Sequence, residues 1–356
     1  MTVTPDLEAA LRHCWHPVCS LGELAAAAPH PLAVRLLDTP LAVVDLGEPG
    51  AREVAAVVDR CPHRSTRLSV GWVDDGMLRC ANHGWCFEAD GRCTDIPSLG
   101  VSSKGGGTVP ERAHLVPFDV EIAHDLVWVR LVAGAPTSVP AHPSWHDPSF
   151  KVLTGSPYTW PTSAARRVEN FVDIAHFPWV HDGSLGRRDE PVPPLPEVRR
   201  EAGELRFEFV PPSIDAASEA LFGWSGYRMP IPLTVDIEFR LASGATRWLW
   251  MTASPVDART CRTFWTVARD DDLDGDDEAH MAFQELILRE DEPVVCNQDP
   301  PELPLDASEV SVRTDRVSIE YRRWLRELAV AATADDPAAA IAAVLTNDEE
   351  KAVVQS

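Results

Sequence analysis

The sequence predicts an α+β protein in two parts. The first is an all-β N-terminal domain of short strands and tight loops, and the second is a larger domain in which an antiparallel sheet packs against helices. Turn residues (Gly71, Asp74, Asp75, Gly76, Gly84, Gly91) punctuate the first part at short intervals, as strands joined by tight loops require. The second part contains alternating segments. In "TVDIEFRL", Val235, Ile237, Phe239 and Leu241 share one face, opposite Thr234, Asp236, Glu238 and Arg240, and "LRFEF" and "TRWLWM" behave similarly. Two stretches with helical spacing, one near residues 164–176 and one near 281–293, supply the α component. Between the parts, "APTSVPAHPSWHDP" follows the strand-like "DLVWVRLVAG" and reads as a linker, which divides the chain into 1–135 and 136–356.

Bulk properties narrow the function. At 356 residues the chain buries a substantial core, and 45% hydrophobic with 24% charged residues is ordinary globular composition. No uncharged apolar run approaches the ~20 residues that cross a bilayer. "MTVTPDLEAALRHCWHPV" lacks a basic-then-apolar signal pattern, so the expected setting is cytoplasmic. A net charge of -23 argues against nucleic acid as a partner. In the acidic run "DDDLDGDDE", Asp270, Asp272, Asp274 and Gly275 mimic the start of a calcium loop, but Met281 occupies the position of the bidentate Glu. The run therefore reads as a solvated surface loop. Eight cysteines in a chain of this size do not make a disulfide scaffold, and Cys14, Cys19, Cys261 and Cys296 read as buried thiols.

Cys61 and Cys80 differ from these, because each has a histidine within three residues. One residue separates Cys61 from His63, sixteen separate His63 from Cys80, and two separate Cys80 from His83. Zinc fingers group like ligands, whereas here each loop carries one thiolate and one imidazole. That mixture suits a Rieske [2Fe–2S] centre, in which two cysteines hold one iron and two histidines the other. "CPHR", "LSVGWVDDGMLRC" and "HGWCF" together resemble the Rieske non-haem iron oxygenases. Ala81-Asn82 stands where relatives often have Pro-Tyr. Thr66 and Asn82 occupy the positions that are cysteine in respiratory Rieske proteins, so the bridging disulfide of that branch cannot form.

A cluster that only carries electrons needs a second centre for dioxygen. "SAARRVENFVDIAHFPWVH" reads as a helix from Ala164 to His176 with Asn170 and Asp173 on one face. Pro178 is expected to end that helix, letting His181 converge with His176. Two histidines and one carboxylate form the facial triad of non-haem Fe(II) oxygenases. Asn170, Asp173, His176 and His181 match the order of the resembled family. "MAFQELILREDEPVVCNQ" reads as a helix ending near Pro293. The resemblance puts the third ligand on Asp291, with Gln298 downstream and Cys296 where relatives often carry Glu; Glu290 and Asp299 are the rival carboxylates.

"MPIPLTVDIEF", "TASPVDARTCRTFWTVARD" and "TDRVSIEYRRWLREL" resemble the monooxygenase branch containing vanillate O-demethylase, toluenesulfonate methyl-monooxygenase and dicamba demethylase. The resemblance implies a helix-grip catalytic half and a terminal oxygenase that hydroxylates or oxidatively demethylates a small organic substrate with dioxygen. Aromatic cis-dihydroxylation is the alternative within the class, and a non-catalytic electron-transfer subunit the alternative outside it. No GxGxxG fingerprint is present, Gly105–Gly107 lacking the later glycine, so NAD(P)H serves only through a separate flavin reductase, with or without a ferredoxin. The resemblance further implies a head-to-tail homotrimer in which Asp173 bridges to His83 of a neighbouring subunit. Arg60, Arg64, Arg67 and Arg79 form a basic zone suited to an acidic electron donor, and Pro211–Pro232 is a candidate loop at a pocket mouth.

Overall fold

Two-residue reversals hold the first part of the chain together. The computed structural model describes residues 6–346 apart from 49, 101–107, 135–136, 202 and 212–222, so Gly105–Gly107 lie outside the described residues. Two units emerge. One spans Leu11–Val139; the other runs from Pro140 onward and includes the described residues up to Ala10.

After α1 (Leu7–Leu11), whose residues up to Ala10 belong to the other unit, the first unit opens with β1 (His16–Ser20), and Ser20 caps α2 (Leu21–Ala27) in a capping box with Glu23. Strands β2 (Leu32–Leu36), β3 (Thr39–Asp45) and β4 (Val54–Val58) form one sheet, and β5 (Trp72–Asp74), β6 (Met77–Arg79), β7 (Cys86–Phe87) and β8 (Cys93–Asp95) a second. The third sheet has the order β1-β10-β9, with β9 at Asp119–Ala123 and β10 at Leu126–Arg130. Asp75-Gly76 turns β5 into β6 with φ of 53° and 69°, the left-handed pair that matches strand twist. Leu37-Asp38 and His124-Asp125 do the same between β2 and β3 and between β9 and β10 without any glycine, so composition did not mark them. Leu68, Leu78, Phe87 and Ile96 are sealed in a core beside Cys61 and Cys80.

The second unit is built on an eight-stranded antiparallel sheet. Its strands are β11 (Lys151–Thr154), β12 (Tyr158–Trp160), β13 (Arg199–Glu201), β14 (Glu204–Phe209), β15 (Trp224–Ile231), β16 (Thr234–Arg240), β17 (Thr246–Asp257) and β18 (Thr260–Arg269). Their order is β11-β18-β17-β16-β15-β14-β13, with β12 also on β18. Part of the expected loop Pro211–Pro232 is thus β15, and residues 212–222 lie outside the described residues. Alternation predicted one buried face, yet Thr234 and Asp236 are fully buried on the opposite one. The segment read as a linker is the reason. His142 and Ser144 are buried, the His142 ring lies 5.3 Å from that of Trp248, and the Ala141 carbonyl accepts from Arg228 at 2.8 Å. Arg228 also donates to Asp236 through Nε at 2.7 Å, which supplies the buried carboxylate with a partner.

Helix α3 (Ala164–Val172) packs on β16, β17 and β18. It stops four residues before the expected His176, because Asp173 leaves helical geometry (φ −81°, ψ 119°) and its carboxylate accepts from the Ala175 N–H at 2.8 Å. Pro178 starts the next helix, α4 (Phe177–Val180), instead of ending the first, since a missing N–H costs nothing in a first turn. Helix α5 (Asp277–Val295) begins earlier and runs further than predicted, with Pro293 inside its last turn. The acidic run is also more structured than a solvated loop: Asp276 caps α5, Asp271 pairs with Arg247, and Asp277 pairs with Arg269 and Lys151. Helices α6 (Arg316–Ala331) and α7 (Pro337–Thr346) complete the unit.

Helix α3 is buried nearly all round even though it carries charges, so those charges need partners. Arg322 of α6 donates to Glu169 at 2.5 and 2.8 Å and to Glu309 at 2.6 Å, and Glu309 also accepts from Arg166 at 2.6 Å. Arg322→Met should strand Glu169 and cost on the order of 3 kcal/mol in chemical denaturation, whereas an exposed pair such as Arg199–Glu197 should cost under about 1 kcal/mol.

Candidate metal centres

The two Cys/His loops are copies of one turn. Ser65 N–H donates to the Cys61 carbonyl at 3.0 Å and Gly84 N–H to that of Cys80 at 3.0 Å. The amides of Cys61 and Cys80 are in turn held by the carbonyls of Thr66 and Trp85 at 2.8 Å. The fifth residue of each turn is left-handed, Ser65 at φ 56° and Gly84 at φ 73°. A side chain at Gly84 would also meet Pro97 Cγ at 3.2 Å. Where respiratory relatives place a disulfide, Asn82 Nδ2 donates to Thr66 Oγ1 at 3.0 Å, so a hydrogen bond joins the same two loops.

Within this turn pair the sulfurs point inward and the imidazoles outward. Cys61 and Cys80 are buried, His63 is half-buried and His83 exposed, with the two rings 4.4 Å apart. The Trp85 indole stacks on His63 at 4.6 Å and 8°. His63 Nδ1 is buried without a hydrogen-bond partner, as expected of a nitrogen reserved for a metal. Burial above all pushes the Cys61 thiol up to about 11, so only a strongly bound cation would hold that sulfur as a thiolate. The residues fit a cluster with sulfur-ligated iron inside and imidazole-ligated iron at the surface. Of the expected basic zone, Arg60, Arg64 and Arg67 are exposed, but Arg79 is tied to Asp74 at 2.9 Å and to the Gly84 carbonyl at 3.0 Å.

The second centre lies where α3, α4 and α5 meet. His176 Nε2 and His181 Nε2 are 3.3 Å apart, and Asp291 Oδ1 lies 3.4 and 3.1 Å from them. Nearly equal separations of this size are those of adjacent corners of an octahedron, the facial arrangement that suits a non-haem Fe(II) ion. The break between α3 and α4 puts both imidazoles on one side, and Asp291 reaches them from α5. The rival Glu290 accepts instead from His181 Nδ1 at 2.8 Å, while Asp173 lies 3.2 Å from His176 Nδ1, so each imidazole has a carboxylate behind it. Asp299 is not part of the cluster. Asn170 Nδ2 donates to Asp291 Oδ1 at 3.3 Å. Burial opposes charge on His176, yet the Asp173 and Asp291 carboxylates outweigh it and push the imidazole up to about 9. Burial likewise opposes ionisation of Asp291, but bonds from His176 and His181 and the Arg167 charge hold its carboxyl well below the usual range. A site that favours positive charge this strongly suits a dication.

The cluster opens onto a cavity of about 580 Å³, walled chiefly by apolar side chains including Phe177, Leu185, Tyr227, Ile237, Trp248 and Leu288. The Ser225 hydroxyl and the side-chain amide of the buried Gln284 both line it and hydrogen-bond to no other described residue. Sequence reasoning passed over both. Gln284 lies seven residues before Asp291 and so on the same face of α5, a signal that was available once Asp291 was chosen.

An electron-carrying loop pair in a small β domain, followed by a histidine–carboxylate iron site under a helix-covered sheet, defines an oxygenase that draws its electrons through its own iron–sulfur cluster. Residues 14–106 match the Rieske [2Fe-2S] domain and residues 160–331 the vanillate O-demethylase oxygenase C-terminal domain. Methylxanthine N1-demethylase NdmA of Pseudomonas putida is 37% identical over 324 residues, 89% of each chain. Methylxanthine N3-demethylase NdmB of the same organism is 39% identical over 333 residues, 90% of each chain. The solved structure of Pseudomonas putida CBB5 NdmA with caffeine superimposes with a TM-score of 0.88 at 35% identity, over 99% of this chain and all of that one. Dicamba monooxygenase bound to dicamba, at TM-score 0.75 and 22% identity over 90% of this chain and 98% of that one, shares the fold. The chain belongs to the Rieske non-haem iron oxygenases. It is a terminal oxygenase with a Rieske [2Fe–2S] cluster and a mononuclear iron, of the kind that acts on small substrates with electrons from a separate reductase or ferredoxin. Among the described residues no helix is long and apolar enough to cross a membrane.

Removing the carboxylate behind His181 should weaken the iron site selectively. Glu290→Gln should lower mononuclear iron affinity about 10- to 100-fold, read as iron per chain after graded chelation, with the visible spectrum of the cluster unchanged.

Proposed function

We propose that this chain oxidatively N-demethylates a planar, N-methylated heterocycle of the methylxanthine type, with Cys61, His63, Cys80 and His83 holding the cluster and His176, His181 and Asp291 holding the iron. The observation that carries the substrate class is Gln284, a buried amide with no hydrogen-bond partner among the described residues, beside an apolar cavity and on the iron-ligand face of α5. A primary amide offers a donor and an acceptor side by side, which matches the edge of a ring carrying a carbonyl next to an N–H or ring nitrogen. The flat apolar walls accept the ring faces, and a hydrogen-bonded edge decides which methyl group faces the metal. The two most similar curated relatives cited above act on methylxanthines.

When bound, the iron supplies dioxygen activation, and hydroxylation of an N-methyl group leads to loss of formaldehyde. The protein's own contribution is positional. Asp173 and Glu290 fix the tautomer and orientation of His176 and His181, while the apolar walls keep bulk water from the reacting methyl. Electrons come from a separate flavin reductase or ferredoxin, whose approach is favoured by Arg60, Arg64 and Arg67 on an otherwise acidic chain. None of the eight cysteines is paired in a disulfide, which suits a cytoplasmic setting. Supplied with reductase, dioxygen and caffeine, theophylline or theobromine, the purified enzyme should release formaldehyde in step with a demethylated product. Gln284→Leu should raise KM or change which methyl is removed while both metal signals stay intact. No turnover on any N-methylated purine would end this substrate assignment.

Oligomerisation belongs to the same reading. The Asp173 carboxylate keeps about a third of its surface exposed although Oδ1 accepts from the Ala175 N–H and Oδ2 contacts His176, which leaves lone pairs for a further donor. We take its partner to be His83 of a neighbouring subunit in a closed head-to-tail ring, where the exposed imidazole ends the electron path. Asp173→Asn should retain both metals and slow electron transfer from the reduced cluster to iron by at least an order of magnitude in stopped-flow. A fully active monomer in sedimentation would defeat the idea.

A further inference from the structure

Arg167 is a fully buried cation directly against the iron site, and neither a ligand set nor a substrate edge requires it there. Its guanidinium carbon lies 4.0 Å from the Phe171 ring centre, 4.3 Å from Trp160 and 5.7 Å from Tyr158, and its Nε donates to the Tyr158 hydroxyl at 3.0 Å. Nη1 donates to Asp291 Oδ2 at 3.2 Å and to Asn170 Oδ1. Asp291 is therefore divided: Oδ1 faces the two imidazoles and Oδ2 faces the guanidinium. Nη2 is buried with no hydrogen-bond partner among the described residues. Burying a guanidinium is expensive, and bare cation–cation repulsion would weaken binding of a metal beside it. An arrangement that incurs both costs calls for a compensating role.

The charge balance around the site supplies one. Asp291, Asp173 and Glu290 put three carboxylates on or directly behind the imidazoles, and Arg167 is the cation set among them. The other guanidinium groups lining the cavity are ion-paired away from the ligand cluster, Arg247 with Asp271 and Arg269 with Asp277, which it shares with Lys151. Three carboxylates against one guanidinium leave two negative charges, which a divalent ion neutralises. Without the guanidinium, three would remain, matching a trivalent ion. We propose that Arg167 is a positioning and charge-balancing residue that holds the mononuclear iron in its ferrous form, the form that takes up dioxygen. Its hydrogen bond on Oδ2 acts in the same direction, because a carboxylate that shares its charge with a donor gives less to the metal and stabilises the higher oxidation state less. The three aromatic rings hold the cation in place and exclude the water that would screen it.

The inference rests on His176, His181 and Asp291 being the iron ligands, and the test separates the two. Holoenzyme is titrated electrochemically with mediators, so that one electron passes between iron and mediator, and the high-spin ferric signal is followed by electron spin resonance. In Arg167→Met, whose side chain can occupy the aromatic cage uncharged, the ferric-to-ferrous ratio at a fixed potential should rise at least tenfold. That corresponds to a midpoint about 59 mV lower for a one-electron couple. The midpoint of the cluster should not move. Arg167→Lys keeps the charge and should stay within about threefold of wild type. A purely structural role would lower the melting temperature in both variants and leave the ratio unchanged. If the methionine variant does not fold, Arg167→Gln is read in the same way, and a wild-type ratio in either folded variant overturns the proposal. Wild type carrying only the two cluster irons per chain would instead overturn the metal-site reading beneath it.

Discussion

Asp291 sits almost wholly out of water, with one oxygen between two imidazoles and the other against a guanidinium, and the catalytic unit is arranged to make that burial tolerable. An isolated carboxylate in such a place would take a proton instead of a charge. Four donors around it reverse that preference: His176, His181, Arg167 and Asn170. Each comes from a different local solution to a backbone problem. Arg167 and Asn170 project from a helix buried nearly all round, His176 and His181 flank a short helix begun by a proline, and Asp291 comes from a third helix that tolerates a proline in its last turn.

The two centres treat charge differently, and the difference follows their tasks. At the cluster, soft sulfurs lie in the core and imidazoles at the surface, so the electron's route opens outward through a group that can meet a partner. At the iron, hard donors converge beneath an apolar cavity, which strengthens every charge interaction inside it and leaves solvent a minor competitor for the substrate. Thr66 and Asn82 illustrate how economically the cluster loops are held. The side-chain hydrogen bond between Asn82 and Thr66 joins the turns that a covalent link joins in respiratory Rieske proteins, and the repeated left-handed turn adds rigidity.

Carboxylates behind both histidines recast the acid-rich neighbourhood of α5. Glu290, a competitor for the ligand role on sequence grounds, acts through His181, and the Asp270–Glu278 run caps the helix and neutralises arginines beside the cavity. A strongly negative chain thus spends much of its local acid on orienting cations and imidazoles instead of on solvation.

What residue types alone pointed to was the chemistry. Cysteine and histidine alternation at Cys61–His63 and Cys80–His83, and the Asn170, Asp173, His176, His181 series, can be read as residue types at fixed spacing, because ligand identity is a property of side chains. Alternation likewise marked the strands of the large sheet. What it could not decide was everything set by distant partners. It placed His176 on a continuous helix, whereas a carboxylate–amide bond at Asp173 breaks the chain there. It read residues 135–148 as a linker, but His142 and Ser144 lie buried against the sheet and close its second face. Neither Gln284 nor Arg167 stood out in the sequence, and only the fold put the first at the cavity and enclosed the second between three rings and Asp291. Local pattern records what a residue can do; only packing decides whether water, a charge or a substrate is there for it to act upon.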